Sequence, residues 1–174
     1  PQANQSNSDE QLMIKGMWRD PKTNLVWMRC SLGQMWDGQF CTGIAKTYAQ
    51  QEALDAAIAL NNGGGFGGYK DWVVPHIEDL FTIRYCSTGF KDTREIPTKA
   101  GGTKTVDNWC KGEGYQRPTI NQTIFPNTKD RGYWSSSPVA NDSGYAWIVY
   151  FDYGYVNGNY KYTSHYVRLV RSSQ

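Results

Sequence analysis

Long apolar runs and basic clusters are both missing from this 174-residue chain. No apolar stretch approaches the roughly 18 to 20 residues that a membrane-spanning helix needs, so we expect no transmembrane segment. Eighteen basic and sixteen acidic residues give a net charge of +2 without any basic run. A nucleic-acid-binding surface normally shows as a cluster of Lys and Arg, so we also expect no nucleic-acid partner.

Residues suited to catalysis and metal binding are scarce as well. The two histidines, His76 and His165, are far apart in the sequence, and the serines at 135–137 lack the context of a nucleophile elbow. None of the four cysteines stands in a Cys-x-x-Cys pair, which argues against a zinc site or a redox motif. We therefore expect no catalytic residue, no metal site and no cofactor, and we predict that the protein is not an enzyme.

The composition is that of a globular protein whose surface carries many rings. Apolar residues make up 39% of the chain and aromatic residues 14%, which argues against a disordered chain. The length fits one domain. The absence of large apolar side chains before Leu12 predicts a polar linker over residues 1–11 and one domain over residues 12–174. Because the chain begins at Pro1 and not at a methionine, we expect a processed N-terminus that hides any export signal.

Four cysteines, an even number, suit structural disulfides in an oxidising compartment. Three connectivities are open, and proximity in the sequence favours Cys30–Cys41 and Cys86–Cys110, because each pair encloses a segment with few core-forming residues. Each such bridge typically stabilises a protein by about 2–4 kcal/mol. The alternative is four unrelated buried thiols in a cytosolic protein. The disulfide interpretation predicts an exported protein.

The first half of the chain shows both strand and helix signals. A turn at residues 20–24 separates short apolar runs at 12–17 and 25–29, which predicts an opening β-hairpin. Thr47 is a predicted N-cap, and apolar residues then recur at helical spacing until Asn61–Gly63 ends the helix. The members of this predicted apolar face are Ala53, Leu54, Ala57, Ile58 and Leu60.

The second half is less regular. A second short helix is predicted to begin near Pro75. Residues 87–132 show little periodicity and are predicted to be irregular. Residues 146–151 and 166–170 are predicted strands, with a hairpin connection around residues 154–158. Few helices and several antiparallel strands place the chain in the α+β class.

Several short motifs follow one another in an order typical of a bacterial domain family. They are Asp20–Trp27, Arg29–Gly33, Gly67–Pro75, Phe125–Thr128, Tyr133–Ser137, Ala146–Trp147 and Tyr166–Arg171. Together they resemble the family named after the C-terminal domain of the Legionella collagen-like adhesin, over roughly residues 16–171. Two positions depart from the family pattern, namely Val73 where Arg is common and His76 where Thr is common. Because His is a poorer helix N-cap than Thr, we expect that helix to begin differently.

The resemblance implies a C-type-lectin-like fold with two short helices, antiparallel sheets and long irregular loops. This fold is related to formylglycine-generating enzymes and to the variable proteins of diversity-generating retroelements. An enzyme of the former type uses a reactive cysteine late in the fold, and no cysteine follows Cys110. The resemblance further implies a bacterial protein at the cell surface or secreted, with the periplasm as another location, and a role in adhesion or ligand binding.

Tyrosine is concentrated near the C-terminus, where eight of the twelve tyrosines lie between Tyr133 and Tyr166. Strand alternation predicts that Trp147, Val149 and Phe151 face the core, and we also assign Val167 and Val170 to the scaffold. The alternate positions and the polar residues that follow are too dense to be buried together. The predicted ligand-binding residues are Tyr145, Ile148, Tyr150, Asp152, Tyr153, Tyr155, Asn157, Asn159, Tyr160, Tyr162, Ser164 and His165.

This composition predicts a recognition surface for a glycan or protein ligand on a cell or another surface. Tyrosine offers a large rigid contact area, Asn, Ser and Gly add adaptable polar contacts, and aromatic rings stack on sugar faces. A sharper hypothesis is a retroelement-diversified protein, because Tyr, Asp, Ser, His and Ile are reached by mutating adenines in Asn codons. Two alternatives stay open. One is a Tyr-rich hairpin that serves cross-strand packing. The other is a structural or trimerising cap of a surface stalk or pilus-like assembly, whose tyrosines form a homo-oligomer contact.

Overall fold

A computed structural model describes residues 2–173 and confirms the α+β class. The helices are α1 (Gln2–Ile14), α2 (Gln50–Asn62) and α3 (Ile77–Leu80), and a 3₁₀ turn at Phe81–Ile83 follows α3. The strands are β1 (Met17–Arg19), β2 (Leu25–Met28), β3 (Met35–Trp36), β4 (Cys41–Thr42), β5 (Phe90–Pro97), β6 (Thr103–Cys110), β7 (Gly132–Val139), β8 (Asp142–Tyr150), β9 (Tyr155–Tyr160) and β10 (Val170–Ser172). No helix within the described residues is long and apolar enough to cross a membrane.

All strand pairs are antiparallel, and two three-stranded sheets organise the core. One sheet has the order β1-β2-β10 and the other β7-β8-β9, while β3-β4 and β5-β6 are separate two-stranded ladders. The middle of β8 is buried on both faces. Trp147 and Val149 pack into one apolar cluster with Trp27, whereas Ile148 packs into a second cluster with Trp134. This central sheet therefore forms the rigid base of the C-terminal segment.

The opening hairpin is confirmed, but its first strand is shorter than predicted. Strand β1 begins at Met17 and pairs with β2, and the preceding residues belong to α1. The segment predicted as a polar linker is thus helical from Gln2 onward. Leu12 buries the last turn of α1 in the core, and Arg29 donates to the carbonyl of Met13 while Trp36 donates to that of Ile14. These contacts satisfy the C-terminal carbonyls of the helix, which a composition-based reading does not reveal. The domain boundary at residue 12 stays a prediction.

Both predicted helices form; α2 begins two residues later than expected, whereas α3 begins next to Pro75 as predicted. The N-cap of α2 is Ala49 and not Thr47, and the Glu52 carboxylate accepts the backbone N–H of Ala49 at 2.8 Å. The N-cap of α3 is His76, whose Nδ1 accepts the N–H of Glu78 at 3.1 Å. A neutral imidazole therefore replaces the hydroxyl of the more usual Thr. Desolvation, the largest influence, lowers the pKa of His76 and favours this neutral form.

The expectation of an irregular stretch over residues 87–132 is wrong for its first half. Strands β5 and β6 form a long two-stranded ribbon with an unbroken register from Asp92–Asn108 to Pro97–Thr103. Lys91 to Glu95 are exposed on both faces of β5, so no hydrophobic alternation marks this strand in the sequence. Ile96 and Val106 anchor the ribbon in the core. The ribbon is consequently held by these two core residues and by backbone hydrogen bonds.

The C-terminal strands also differ in their limits. The connection between β8 and β9 occupies residues 151–154, so Asn157 and Gly158 lie inside β9 and not in the turn. The predicted strand at 166–170 is largely extended chain: Tyr166 makes a single bridge to Tyr133, and regular pairing begins at Val170. Strand β8 (Asp142–Tyr150) is therefore longer than the strand predicted at 146–151.

Both disulfides form as predicted from sequence proximity. Cys30 bonds to Cys41 and Cys86 to Cys110, with Cα–Cα distances of 5.4 and 5.2 Å. No free cysteine remains in the part of the chain that the structure describes. The first bridge closes the loop that contains β3, and the second joins the end of the 3₁₀ region to the end of the ribbon. Two disulfides fit a protein of an oxidising compartment, as expected for export.

Candidate ligand-binding site

The register of β8 and β9 divides the C-terminal tyrosines between two faces. Tyr150 pairs with Tyr155, and Tyr145 pairs with Tyr160. Directly paired residues share a face, whereas positions five apart on one strand lie on opposite faces. The predicted contact residues therefore form two separate groups instead of one continuous surface.

The first group is an aromatic row that comprises Trp109, Tyr155, Tyr150 and His165. The Tyr155 ring lies parallel between its neighbours: its centroid is 4.0 Å from that of Trp109 and 4.5 Å from that of Tyr150, with interplanar angles of 1° and 6°. His165 meets the Tyr150 ring edge-on at 6.0 Å. Because both faces of Tyr155 are covered, this ring can offer a ligand only its edge and its hydroxyl group.

His165 anchors the inner end of the row. Its ring packs edge-on against the buried Trp134 at 4.9 Å, and its Nε2 lies 3.0 Å from the Thr163 hydroxyl. Its backbone pairs with Tyr48 in both directions. The Asn159 amide lies 3.4 Å from the same Nε2 and donates to the Tyr150 hydroxyl at 3.0 Å. These contacts fix the positions of the rings before any ligand arrives.

A groove of about 350 Å³ lies beside the row. It is lined by Arg131, Gly132, Tyr150, Asp152, Tyr155, Ser164, His165 and Tyr166. Five of these eight residues belong to the predicted contact set. The lining combines tyrosine rings with a carboxylate, a guanidinium and hydroxyl groups, which is the mixture of apolar wall and few polar groups found in ligand sites. The Asp152 carboxylate also accepts the N–H of Tyr153 at 2.9 Å.

Burial shifts the acid–base behaviour of the row. Desolvation, the largest influence, raises the pKa of Tyr150 and raises that of Tyr155 to about 12. Desolvation likewise lowers the pKa of His165. At neutral pH the two phenols therefore keep their protons, and the imidazole is held towards its neutral form. Each Tyr hydroxyl can then both donate and accept a hydrogen bond.

The second group is the tyrosine patch, which comprises Tyr145, Tyr160 and Tyr162. Tyr145 and Tyr160 pack at 4.3 Å between centroids, and Tyr162 stacks on Tyr160 at 5.1 Å. Tyr162 is 75% exposed and Tyr160 is 44% exposed. Hydrogen bonding with Tyr160, the largest influence, raises the pKa of Tyr145 to about 12. The patch is open to solvent and is stabilised mainly by its own rings.

Ile148 must be removed from the contact set, because its side chain is fully buried in the second apolar cluster. The alternation along β8 is as predicted, but Trp134 and its neighbours cover the other face too. The scaffold residues are buried as expected: Trp147, Val149, Phe151, Val167 and Val170. Asn157 accepts a hydrogen bond from Arg94 at 3.1 Å, and Tyr153 lies under the guanidinium of Arg117 at 4.8 Å.

Sequence reasoning missed the residues that reach the site from other elements. Trp109 comes from the end of β6, and Arg131, Gly132 and Tyr166 line the groove from the edges of β7 and of the final extended segment. Gly132 allows close packing, since a Cβ at this position would lie 2.7 Å from Nδ1 of His165. One feature of the sequence points to Trp109: it precedes Cys110, and the predicted disulfide brings Cys110 close to another segment of the chain.

No curated protein matches this sequence. Residues 16–171 match the family described as Lcl C-terminal domain. The match covers nearly everything from the end of α1 to β10, including the aromatic row, the groove and the tyrosine patch. The chain therefore belongs to the Lcl C-terminal domain family.

Proposed function

We propose that this adhesin-like domain is a non-enzymatic, exported recognition module that binds a glycan or protein ligand in the groove beside the aromatic row. The observation that carries the proposal is the rigid stacking of Tyr155 between Trp109 and Tyr150 at the wall of that groove. Ordered rings lose little conformational entropy on binding, so their contacts contribute more to affinity. The bacterial cell surface is the proposed location.

The groove supports recognition by hydrogen bonding more than by stacking on ring faces. Both faces of Tyr155 are occupied, and one face of Tyr150 packs on Tyr155. What remains accessible is a row of phenol edges and hydroxyls next to Asp152, Ser164 and Arg131. Carboxylate acceptors, guanidinium donors and neutral hydroxyls suit a ligand rich in hydroxyl or amide groups. Both sugars and peptide backbones meet this description.

The test removes hydroxyl groups while leaving the rings in place. The double variant Y150F/Y155F keeps the stack but deletes two donors and acceptors of the groove, and we expect binding to weaken by about tenfold or more. The matched control Y160F/Y162F deletes two hydroxyls from the tyrosine patch and is expected to bind like the wild type. Binding is measured on a glycan array and on a panel of purified extracellular matrix proteins. Equal binding by the wild type and Y150F/Y155F would remove the groove from consideration.

A second candidate function rests on the tyrosine patch. Tyr162 and Tyr160 expose two stacked rings to solvent, and exposed aromatic groups are enriched at protein interfaces. The patch would then be the contact of a structural or trimerising cap. Light scattering tests this directly: the wild type should form an oligomer, and the Y160A/Y162A variant should be monomeric. A wild type that is monomeric at high concentration would rule this candidate out.

We further propose a C-type-lectin-like fold and a C-terminal segment that is diversified between sister genes. Buried Trp147, Val149 and Phe151 next to the partly exposed Tyr150 and Asp152 support a fixed scaffold with variable positions. Ile148 is excluded from the variable positions by its burial. Sequencing sister genes tests the proposal, because substitutions spread evenly over residues 133–171 would contradict it.

A further inference from the structure

The aromatic row depends on a segment that lies outside the C-terminal hairpin. Trp109 is half-buried and adopts a positive φ of 59°, an unusual conformation for a non-glycine residue. Its indole covers the face of Tyr155 opposite to Tyr150. The orientation of Tyr155 in the groove wall is therefore set partly by where the end of β6 is held.

The Cys86–Cys110 disulfide holds that end of β6 against the turn between β8 and β9. Gly154 packs directly on the bridge, since a Cβ at this position would lie 2.5 Å from Sγ of Cys110 and 2.7 Å from Sγ of Cys86. Its φ of +68° also disfavours any other residue. The N–H of Cys110 donates to the carbonyl of Tyr153 at 2.9 Å. The bridge and the backbone of Cys110 thus contact Gly154 and Tyr153, the two residues that precede Tyr155.

Two polar side chains complete the same junction. The buried Asn108 accepts the N–H of Val156 at 2.7 Å. Arg84 donates to the carbonyl of Gly154 at 2.8 Å and to that of Asp107 at 2.7 Å, so its guanidinium spans the turn and the ribbon. Trp109 and Tyr155 are each flanked by these fixed points. The other disulfide has different neighbours: the N–H of Cys41 donates to Asn127 at 3.2 Å, at the β3-β4 ladder.

We propose that the Cys86–Cys110 disulfide, acting through Gly154, is the positioning element of the ligand site, and that Trp109 is a positioning residue for Tyr155. The inference rests on the proposed function, because it assigns the parts of the same groove. The site is complete only in the oxidised chain, whereas Cys30–Cys41 stabilises the fold without arranging the groove. Recognition is consequently coupled to one bridge of the two.

The test follows the indole signal of Trp109 by two-dimensional ¹H–¹⁵N NMR. The chain has seven tryptophans, and the Trp109 cross-peak is assigned by its loss in W109F. In C86S/C110S we expect this peak to leave its ring-current-shifted position and the amides of residues 153–155 to exchange about tenfold faster. In the matched control C30S/C41S the peak and these exchange rates should stay as in the wild type. A disulfide that only stabilises the fold would leave the peak in place below the melting temperature.

A second variant keeps the bridge and guards against misfolding of C86S/C110S. G154A adds a methyl group against both sulfurs, and it should move the same Trp109 peak while the far-ultraviolet circular dichroism is unchanged. On the glycan array and matrix-protein panel, W109A should weaken binding by about tenfold, and W109F should retain most of it. An unmoved indole peak in C86S/C110S and in G154A would overturn the positioning role. If the peak does not move but Y150F/Y155F loses binding, the proposed function stands and only the positioning role fails. If the peak moves but the wild type binds no ligand, the positioning role stands and only the proposed function fails.

Discussion

The aromatic row and the tyrosine patch lie on opposite faces of the same hairpin, β8-β9, and are built largely from the same residue type. In the row, Tyr155 is enclosed by Trp109 and Tyr150 and borders a groove with polar lining. In the patch, Tyr162 stacks on Tyr160 and is 75% exposed. The pKa of one tyrosine in each group is raised to about 12, but the largest cause is desolvation for Tyr155 and hydrogen bonding with Tyr160 for Tyr145.

Tyrosine content alone therefore does not define a binding site. The row has neighbours from β6, from the loop before β7 and from the final extended segment, so its rings are held from several directions. The patch is supported chiefly by its own members. We therefore propose the groove beside the row as the ligand site and the patch as the candidate subunit contact.

The largest expected effect concerns Ile148, which lies on the same strand face as Tyr150 but is fully buried. I148A should lower the free energy of unfolding by about 2–5 kcal/mol, because it leaves a cavity beside Trp134. Chemical denaturation measures the loss. The control Y162A, at the exposed end of the patch, should change stability by less than about 0.5 kcal/mol. A stable I148A protein with impaired ligand binding would restore Ile148 to the contact set.

A smaller loss is expected when a methyl group is added beneath the row. In G132A the new Cβ would lie 2.7 Å from Nδ1 of His165, 3.0 Å from Cγ2 of Ile148 and 3.1 Å from Cε1 of Tyr150. Overpacking of this kind typically costs about 1–3 kcal/mol. G158A is the matched control on the same hairpin, because its nearest contact, at 2.9 Å, is the terminal methyl group Cγ2 of Val139. G132A should have a clearly lower melting temperature than G158A. The reverse order would show that the residues around the row adjust to an added methyl group more easily than those around the patch.

The sequence predicts the buried residues of the β8-β9 hairpin better than it predicts the separation of the tyrosines between the two faces. The apolar run from Ala146 to Phe151 identifies β8, and the alternation of Trp147 and Val149 is correct. A continuous run, however, is also the mark of a strand buried on both faces, and that property removes Ile148 from the surface. The separation of Tyr145 from Tyr150 follows from their five-residue spacing once the strand is known to be unbroken. Strand β8 begins at Asp142 and not at residue 146, so Tyr145 and Tyr150 belong to one strand and lie on its opposite faces.

The residues contributed by other elements could not be predicted in the same way. The ribbon that carries Trp109 is polar on both faces of β5, so β5 has no hydrophobic pattern in the sequence. Its position depends on Ile96, Val106 and the Cys86–Cys110 bridge, which are long-range contacts. The disulfides themselves were predictable because each joins neighbours in the sequence. The helix α1 was missed because its C-terminal carbonyls accept hydrogen bonds from Arg29 and Trp36, which lie farther along the chain.

Acid should affect the row more than the patch, because His165 belongs to the row and no histidine belongs to the patch. Burial lowers the pKa of His165 below its ordinary 6.5. The neutral form is thus favoured on folding, and the associated stability is present above about pH 6.5 and is lost as the pH falls through the lowered pKa. Denaturation at a series of pH values should show this loss, and H165Q should reduce it. His76 contributes a similar dependence, so H76Q is the control that separates the two.

If H165Q is as sensitive to acid as the wild type while H76Q is not, the loss belongs to the cap of α3 and the row is insensitive to pH. The amide and ring signals of Tyr150 provide an independent reading, because His165 meets this ring edge-on. They should shift over the same pH range in the wild type and stay constant in H165Q. The signals of Tyr162, on the other face, should not follow this titration in either protein.

The smallest effect distinguishes the two tyrosines whose pKa is raised to about 12. If hydrogen bonding with Tyr160 is the main cause for Tyr145, then Y160F should return the pKa of Tyr145 towards 10 and leave Tyr155 unchanged. If desolvation is the main cause for Tyr155, then W109A should lower its pKa by opening one face of the ring, without affecting Tyr145. Carbon-13 NMR of the phenol carbons in alkaline titrations resolves the two. Because the raised pKa favours the protonated phenol, the stability linked to Tyr155 is present below pH 10 and is lost between about pH 10 and 12. A common response of both tyrosines to Y160F would mean that the two faces of the hairpin are coupled, and the separation between ligand groove and subunit contact would no longer hold.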